Sequence, residues 1–455
     1  MDLLKPSEKQ KLAKTLNAFD LFLLGVGAII GSGIFVLTGV AAAREAGPAL
    51  SISFVFAGIV CLFTAFAYAE FSSVIHSAGS AYTYAYRAIG RFAGWITGWC
   101  LILAYLLTGA VVSIGWSAYM VDLLKAVGIV VPFQFAHAPS EGGMMNVPAM
   151  GIVFLMALLL SKGVKESAWF NHFIVGLKLA VIVLFIFVAS RHLNMSNWVP
   201  FMPFGWKGVM GGAAFIFFAY LGFDAVSTTA EEAKNPGKDL PLGIIGSLVF
   251  CTFLYILVGL LLTGVVSYKK LDVKDPVTYA LMQVGERLTA SVVSVGALGG
   301  ITSALLVNMY GQSRIFFAMS RDRFLPPFLE KLHPKFNTPY RIILSSGLIV
   351  ALLAGFTPIH TVAELTNVGA LTAFIMVSVS VLVMRKKNPE LIAPFRAPGM
   401  PWTGILSILS CFFLIIHLSK TTLIAFVGWL CLGAVLYFFY WNYPARKEPK
   451  NIAPL

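Results

Sequence analysis

The stretch Gly25-Val-Gly-Ala-Ile-Ile-Gly-Ser-Gly-Ile-Phe-Val-Leu-Thr-Gly39 decides how this chain is read. It lies inside an apolar run from about Asn17 to Ala42, long enough to cross a bilayer, which takes roughly 20 residues. Gly31-Ser32-Gly33 in its middle is poor helix-forming sequence, each glycine costing about 1 kcal/mol against alanine. A spanning helix broken at mid-depth frees N–H and C=O groups, and lipid tolerates this only where that backbone lines a cavity or finds other partners. Freed amides suit an anionic group and freed carbonyls a cationic one, so one break is able to grip a zwitterion. Taken alone, the stretch fits close helix packing through small residues equally well.

Composition sets the class. Of 455 residues 58% are hydrophobic and 12% charged, with a mean hydropathy of +0.84. Soluble proteins carry about 25% charged residues, so this is an integral membrane protein built as one compact membrane domain. The net charge of +13 is spread over short loops, as the positive-inside rule has it, and not gathered into a nucleic-acid surface. Cys61, Cys100, Cys251, Cys411 and Cys431 all fall in apolar segments without metal-type spacing and read as buried, inert thiols. The polar, lysine-rich start from Met1 to Thr15 precedes an apolar run too long for a signal h-region, so no cleavable signal peptide is expected.

Twelve spans are expected, at about 17–42, 47–73, 92–122, 147–163, 168–190, 207–232, 242–266, 288–319, 340–356, 359–384, 402–419 and 422–442. A cytoplasmic segment 1–16 precedes them and a basic cytoplasmic tail 443–455 follows. Lys and Arg are more than twice as frequent in the loops on the N-terminal side as in those opposite, which predicts both termini in the cytoplasm. The sixth span holds a second anomaly, Phe215-Ile-Phe-Phe-Ala-Tyr-Leu-Gly-Phe-Asp-Ala225. Gly222 weakens the helix near mid-depth, and Asp224 places a carboxylate where charge costs about 2.5–3.5 kcal/mol or more. Capping of a restarted half-helix is the leading assignment for Asp224, ahead of direct ligand contact. Interruptions in the first and sixth spans, each opening a five-span set (17–190 and 207–384), point to an inverted-repeat transporter with its site at the midplane.

At these residues the chain resembles the amino acid–polyamine–organocation superfamily, and most its cationic amino acid transporter branch. The resemblance rests on Gly31-Ser-Gly-Ile-Phe35, Phe217-Phe-Ala-Tyr-Leu-Gly-Phe-Asp224, Ala230-Glu-Glu-Ala-Lys-Asn-Pro236 and Arg314-Ile-Phe-Phe-Ala-Met-Ser-Arg-Asp322. It implies an all-α, LeuT-like 5+5 inverted repeat with broken helices 1 and 6, two added C-terminal helices (402–442), and alternating-access transport of L-amino acids across the cell membrane. Carried over, the substrate carboxylate meets amides at Ser32, Gly33 and Ile34. The α-amino group meets carbonyls of Ile29, Phe218, Ala219 and Leu221. The side chain is read by Phe218, Tyr220, Leu221, Asn308 and span 3, where Ala104 stands in place of the glutamate common in the cationic branch. That departure favours small neutral substrates such as alanine over cationic ones.

Lys178 falls about ten residues into span 5, and an ionisable residue at that depth is a functional candidate by default. Sodium-coupled relatives hold the ion between spans 1, 5 and 8, and proton-coupled ones resemble this chain in having lysine there. Lys178 is therefore expected to replace sodium, contacting carbonyls near Gly25 to Gly27, with Thr302 and Ser303 as candidate partners. A fixed cation tying span 5 to span 1 is the plainer reading. Glu70, Arg87, Arg91, Glu231, Glu232, Lys234 and Lys238 read as solvated loop ion pairs, and Trp95, Trp99, Trp198, Trp206, Tyr440 and Trp441 as interfacial aromatics.

The expected ligands are thus an L-amino acid, neutral or cationic, and a proton, in a lipid membrane, with no cofactor and no metal. No GxSxG, HExxH or P-loop appears, so neither an enzyme nor an ATP-driven pump is indicated. No span offers the repeated polar lining of a channel. An amino acid or amine exchanger, or a non-transporting sensor on the same fold, remain the alternatives.

Overall fold

The computed structural model describes residues 16–75, 80–163, 168–230, 232–390 and 393–441. The expected cytoplasmic segment before Leu16, the tail 443–455, Glu231 and the side chains of Tyr440 and Trp441 lie outside the described residues.

Helices build nearly all of it: α1 (Ala18–Ile29), α2 (Thr38–Ala41), α3 (Leu50–Val74), α4 (Ser80–Ala88), α5 (Arg91–Ala126), α6 (Val147–Ser161), α7 (Ala168–Ala189), α8 (Gly205–Ile216), α9 (Pro236–Val265), α10 (Pro276–Gln283), α11 (Arg287–Arg321), α12 (Tyr340–Phe356), α13 (Ile359–Lys387), α14 (Trp402–Ile416) and α15 (Lys420–Trp441). Among the described residues the only β pairing is a bridge between Leu16 and Ala233. Among the described residues eight helical runs are long and apolar enough to cross a membrane, and α6, α12 and α14 are shorter apolar helices beside them. One run, Ala18–Val74, has 57 residues. At 1.5 Å per residue that is roughly 85 Å, far more than the ~30 Å hydrocarbon core. It is interrupted at Ile30–Gly31 and changes direction at Gly47, where φ is +61°.

Local chemistry sets the ends. α1 starts in a capping box: Asn17 Oδ1 accepts the Phe19 and Asp20 N–H groups at 2.8 and 3.1 Å, and Asp20 accepts that of Asn17 at 2.9 Å. α9 starts at Pro236, six residues before the expected boundary, because proline suits the first helical turn. α3 lies along α9, α13 along α5 and α1 along α9, so the broken segments sit inside the bundle.

Two expectations are corrected. Trp95 and Trp99 are not interfacial; they donate to Gly433 O and Trp429 O, both at 2.8 Å, and Trp99 stacks on Trp429 at 4.3 Å, clamping α15 onto α5. Glu70 is not solvated. It is 1% exposed, takes both Arg385 N–H groups at 2.7 Å and accepts the Ala397 amide at 2.8 Å, because a buried carboxylate needs its lone pairs filled.

Candidate substrate site

A helix ending at Ile29 leaves its last four carbonyls without intrahelical donors. Val26 O takes the Ile30 N–H at 2.9 Å. Gly27 O takes the Lys178 ammonium at 2.8 Å, and the same ammonium donates to Ile30 O at 3.0 Å. Ile29 O accepts the Tyr255 hydroxyl at 2.9 Å. Ala28 O faces the cavity wall, against Gly222, where a Cβ would sit 2.7 Å from it. Beyond the break the chain re-enters helix as wide turns over Gly33–Leu37, so the amides around Ser32, Gly33 and Ile34 begin a half-helix and have no intrahelical acceptor.

The second break mirrors this. α8 tightens into a 3-10 turn over Phe217–Tyr220, Leu221 is extended, and Gly222 adopts φ +119°, a conformation open to glycine at little cost. Another 3-10 stretch, Phe223–Thr229, follows. Asn367 of α13 donates to Ala214 O and Phe215 O at 2.8 Å each, holding the end of α8. The breaks touch: a Cβ on Gly33 would overlap the Cα of Ala219.

Between them lies a cavity of ≈ 70 Å³, room for several waters or a small ligand. Its wall takes Ile29, Ser32 and Gly33 from the first break, and Phe218, Leu221 and Asp224 from the second. Ala104, Tyr105 and Thr108 of α5, Asn308 of α11 and Phe374 of α13 complete it. Ser32 Oγ and Asn308 Oδ1 are buried there with no partner among the described residues. Seven of the ten expected substrate residues thus meet in one place: Ile29, Ser32, Gly33, Phe218, Leu221, Asn308 and Ala104.

The other three do not line it. Ile34 is packed one residue beyond the wall, and Ala219 spends its backbone against Gly33. Tyr220 turns away, donating to Phe54 O at 2.7 Å, so its side chain does not face a substrate in this conformation. Of the carbonyls expected to meet the α-amino group, Ile29 and Ala219 already accept Tyr255, at 2.9 and 3.0 Å, and Phe218 accepts the Leu221 N–H at 3.1 Å.

Asp224 does not cap a following helix through its side chain. It reaches back, accepting the Gly222 N–H and the Tyr105 hydroxyl at 3.2 Å each, so it closes the break and puts a carboxylate on the cavity wall. Lys178 is fully buried and its amine meets Gly27 O, but Gly25 stands inside α1, where its carbonyl is not among the freed ones, and packs on Ser247. Thr302 takes the Trp116 indole N–H at 2.8 Å and donates to Leu298 O at 2.7 Å, and Ser303 is buried outside the cavity wall. Gly300 of α11 packs on the lysine stem, a Cβ there falling 2.9 Å from Lys178 Cγ.

Tyr255, Tyr105, Thr108 and Asn367 were not read from the sequence. A polar residue in the middle of an apolar span is the signal each carries.

Two broken apolar helices around a small, mostly apolar cavity that carries Ser32, Asn308 and Asp224 on its wall suit a membrane transport protein. A family model for amino acid permeases matches residues 16–444. The chain is 48% identical to a methylthioribose transporter of Bacillus subtilis (strain 168), over 95% of each chain. It is 46% identical to the branched-chain amino acid permease BcaP of the same organism, over 98% of this chain and 96% of that one. It is 35% identical to the vacuolar cationic amino acid transporter 4 of Arabidopsis thaliana, over 85% of this chain and 66% of the relative. The protein belongs to the amino acid permease family of the amino acid–polyamine–organocation superfamily, and is a transporter rather than an enzyme.

Proposed function

We propose that the protein is a secondary active transporter of L-amino acids, proton-coupled and sodium-independent, working by alternating access. In this reading it spans the cell membrane twelve times, as two inverted five-helix sets with two added helices, and both termini are cytoplasmic. The observation that carries the substrate class is the apposition of the two breaks, freed amides on one side of a small cavity and freed carbonyls on the other. The carboxylate binds amides at Ser32 and Gly33. The α-amino group binds the second lone pairs of the Ile29 and Phe218 carbonyls and the Leu221 carbonyl. Phe218, Leu221, Ala104 and Asn308 bound the side chain, and the small space favours alanine-sized neutral substrates.

Lys178 takes the place that sodium has in related transporters, and its protonation sets the position of the first break through Gly27 and Ile30. The test is uptake of labelled alanine into sodium-free proteoliposomes under an inward proton gradient. Accumulation above the gradient-free level supports the reading; equal uptake with and without the gradient removes proton coupling.

The 48% identity to a protein named as a methylthioribose transporter favours a second reading, an uncharged thioether sugar as substrate. Ser32, Tyr105, Thr108 and Asn308 offer hydrogen-bonding groups to its hydroxyls. Competition of alanine uptake by methylthioribose, against competition by valine and arginine, separates the two.

A further inference from the structure

We propose that the connector between α11 and α12, residues 322–339, with the first turn of α12, is a docking surface for anionic phospholipid headgroups. Phe328, Leu332 and Phe336 are 58%, 44% and 37% exposed, although they lie between two helices and outside the apolar run of either. Apolar surface of that kind is disfavoured in water and favoured at the boundary between headgroups and acyl chains.

The segment is held in place, so these side chains stay outside the core. Ser320 Oγ donates to Pro326 O at 2.9 Å, the His333 N–H to Thr338 O at 2.8 Å, and the Arg341 guanidinium to Phe328 O at 3.1 Å. Thr338 Oγ1 donates to Ser161 O at 2.6 Å, tying the connector to the end of α6. Pro326, Pro327, Pro334 and Pro339 stiffen what lies between.

Charge chooses the lipid. Lys335 Nζ lies 5.6 Å over the Phe336 ring and the Arg341 guanidinium 5.7 Å over the Tyr340 ring, so cationic groups sit beside aromatic ones, the pairing that suits a phosphate above an acyl edge. Exposed Lys331 and, across the connector, exposed Lys162 add to them. Of the two acids of the segment, Asp322 accepts the Tyr82 hydroxyl at 2.8 Å and lies 3.7 Å from Arg321, and Glu330 lies 3.9 Å from Arg323, leaving the lysines in excess. α11 carries Asn308 and Gly311 of the cavity, so a lipid held here braces the helix that bounds the substrate side chain.

Native mass spectrometry of the purified full chain tests this, with phosphatidylglycerol and phosphatidylcholine offered in equal amounts. Wild type retains phosphatidylglycerol over phosphatidylcholine, and the ratio falls about fivefold per lysine in the K331E/K335E variant. The K331R/K335R variant keeps it. F328S/F336S lowers retention of both lipids alike, and lipid-free melting of each variant confirms the fold. An unchanged lipid ratio in K331E/K335E overturns the proposal. Displacement of the lipid by millimolar inorganic phosphate overturns it too, since the site then takes phosphate as such.

Discussion

The Tyr255 hydroxyl lies 2.9 Å from the Ile29 carbonyl, and 3.0 Å from that of Ala219, so a single residue of α9 fastens the two helix breaks to each other. Tyr255 is fully buried, and removing its hydroxyl leaves carbonyls short of a donor. A lost hydrogen bond of this kind costs about 1–2 kcal/mol, or roughly a tenfold change in an equilibrium. Tyr255→Phe is therefore expected to raise the KM for uptake about tenfold while the protein still folds. Kinetics equal to wild type would show that the hydroxyl does not position the breaks.

Lys178→Gln tests the coupling reading. The amide keeps a donor for Gly27 O or Ile30 O but has no proton to exchange, so binding of substrate survives and the pH dependence of uptake disappears. A variant whose pH profile overlays that of wild type leaves Lys178 as a fixed tie between α7 and the first break. Lys178→Met, which removes the donor as well, is expected to lower the melting temperature by several degrees.

The contact between Gly33 and Ala219 leaves no room for a methyl group. Gly33→Ala forces the breaks apart and is expected to cut uptake at least about tenfold and abolish stabilisation by substrate. Gly31→Ala meets only the Ala304 side chain, at 3.1 Å, and is expected to be milder. Equal effects at the two positions would contradict this geometry.

Outside the spans, burial and then the neighbouring Asp122 push the Asp275 carboxyl from its ordinary 3.8 up to about 8. The fold thus keeps a proton there that the unfolded chain releases. This contribution is full below about pH 4 and is lost as pH rises towards 8. Asp275→Asn is expected to flatten the fall in melting temperature between pH 5 and pH 8. Parallel pH profiles for the two proteins would rule the pair out as its source.

Much of this site was legible in the sequence because the features that define it are local. Glycines at 31, 33 and 222 in otherwise apolar spans mark helix interruptions, and a lysine ten residues into a span marks a buried amine. What was not legible is which freed group each donor takes. Tyr255 and Thr302 both fall in the interior of apolar helices, yet one bridges the breaks and the other binds Trp116, a difference set by helix rotation and packing. Asp224 likewise reads as a forward cap from spacing alone; the positive φ of Gly222 turns its carboxylate back to the break and to Tyr105. Trp95 and Trp99 have the depth of interfacial aromatics, but the partner that covers them, α15, is more than three hundred residues away in the chain.

The central claim is that the apposed breaks bind and carry a zwitterion. Uptake of labelled L-alanine and L-arginine into proteoliposomes in sodium-free buffer, with and without an inward proton gradient, tests it most directly. Gradient-driven accumulation of alanine, lost in Gly33→Ala, is the predicted result. Accumulation of methylthioribose with no uptake or exchange of any L-amino acid would contradict it.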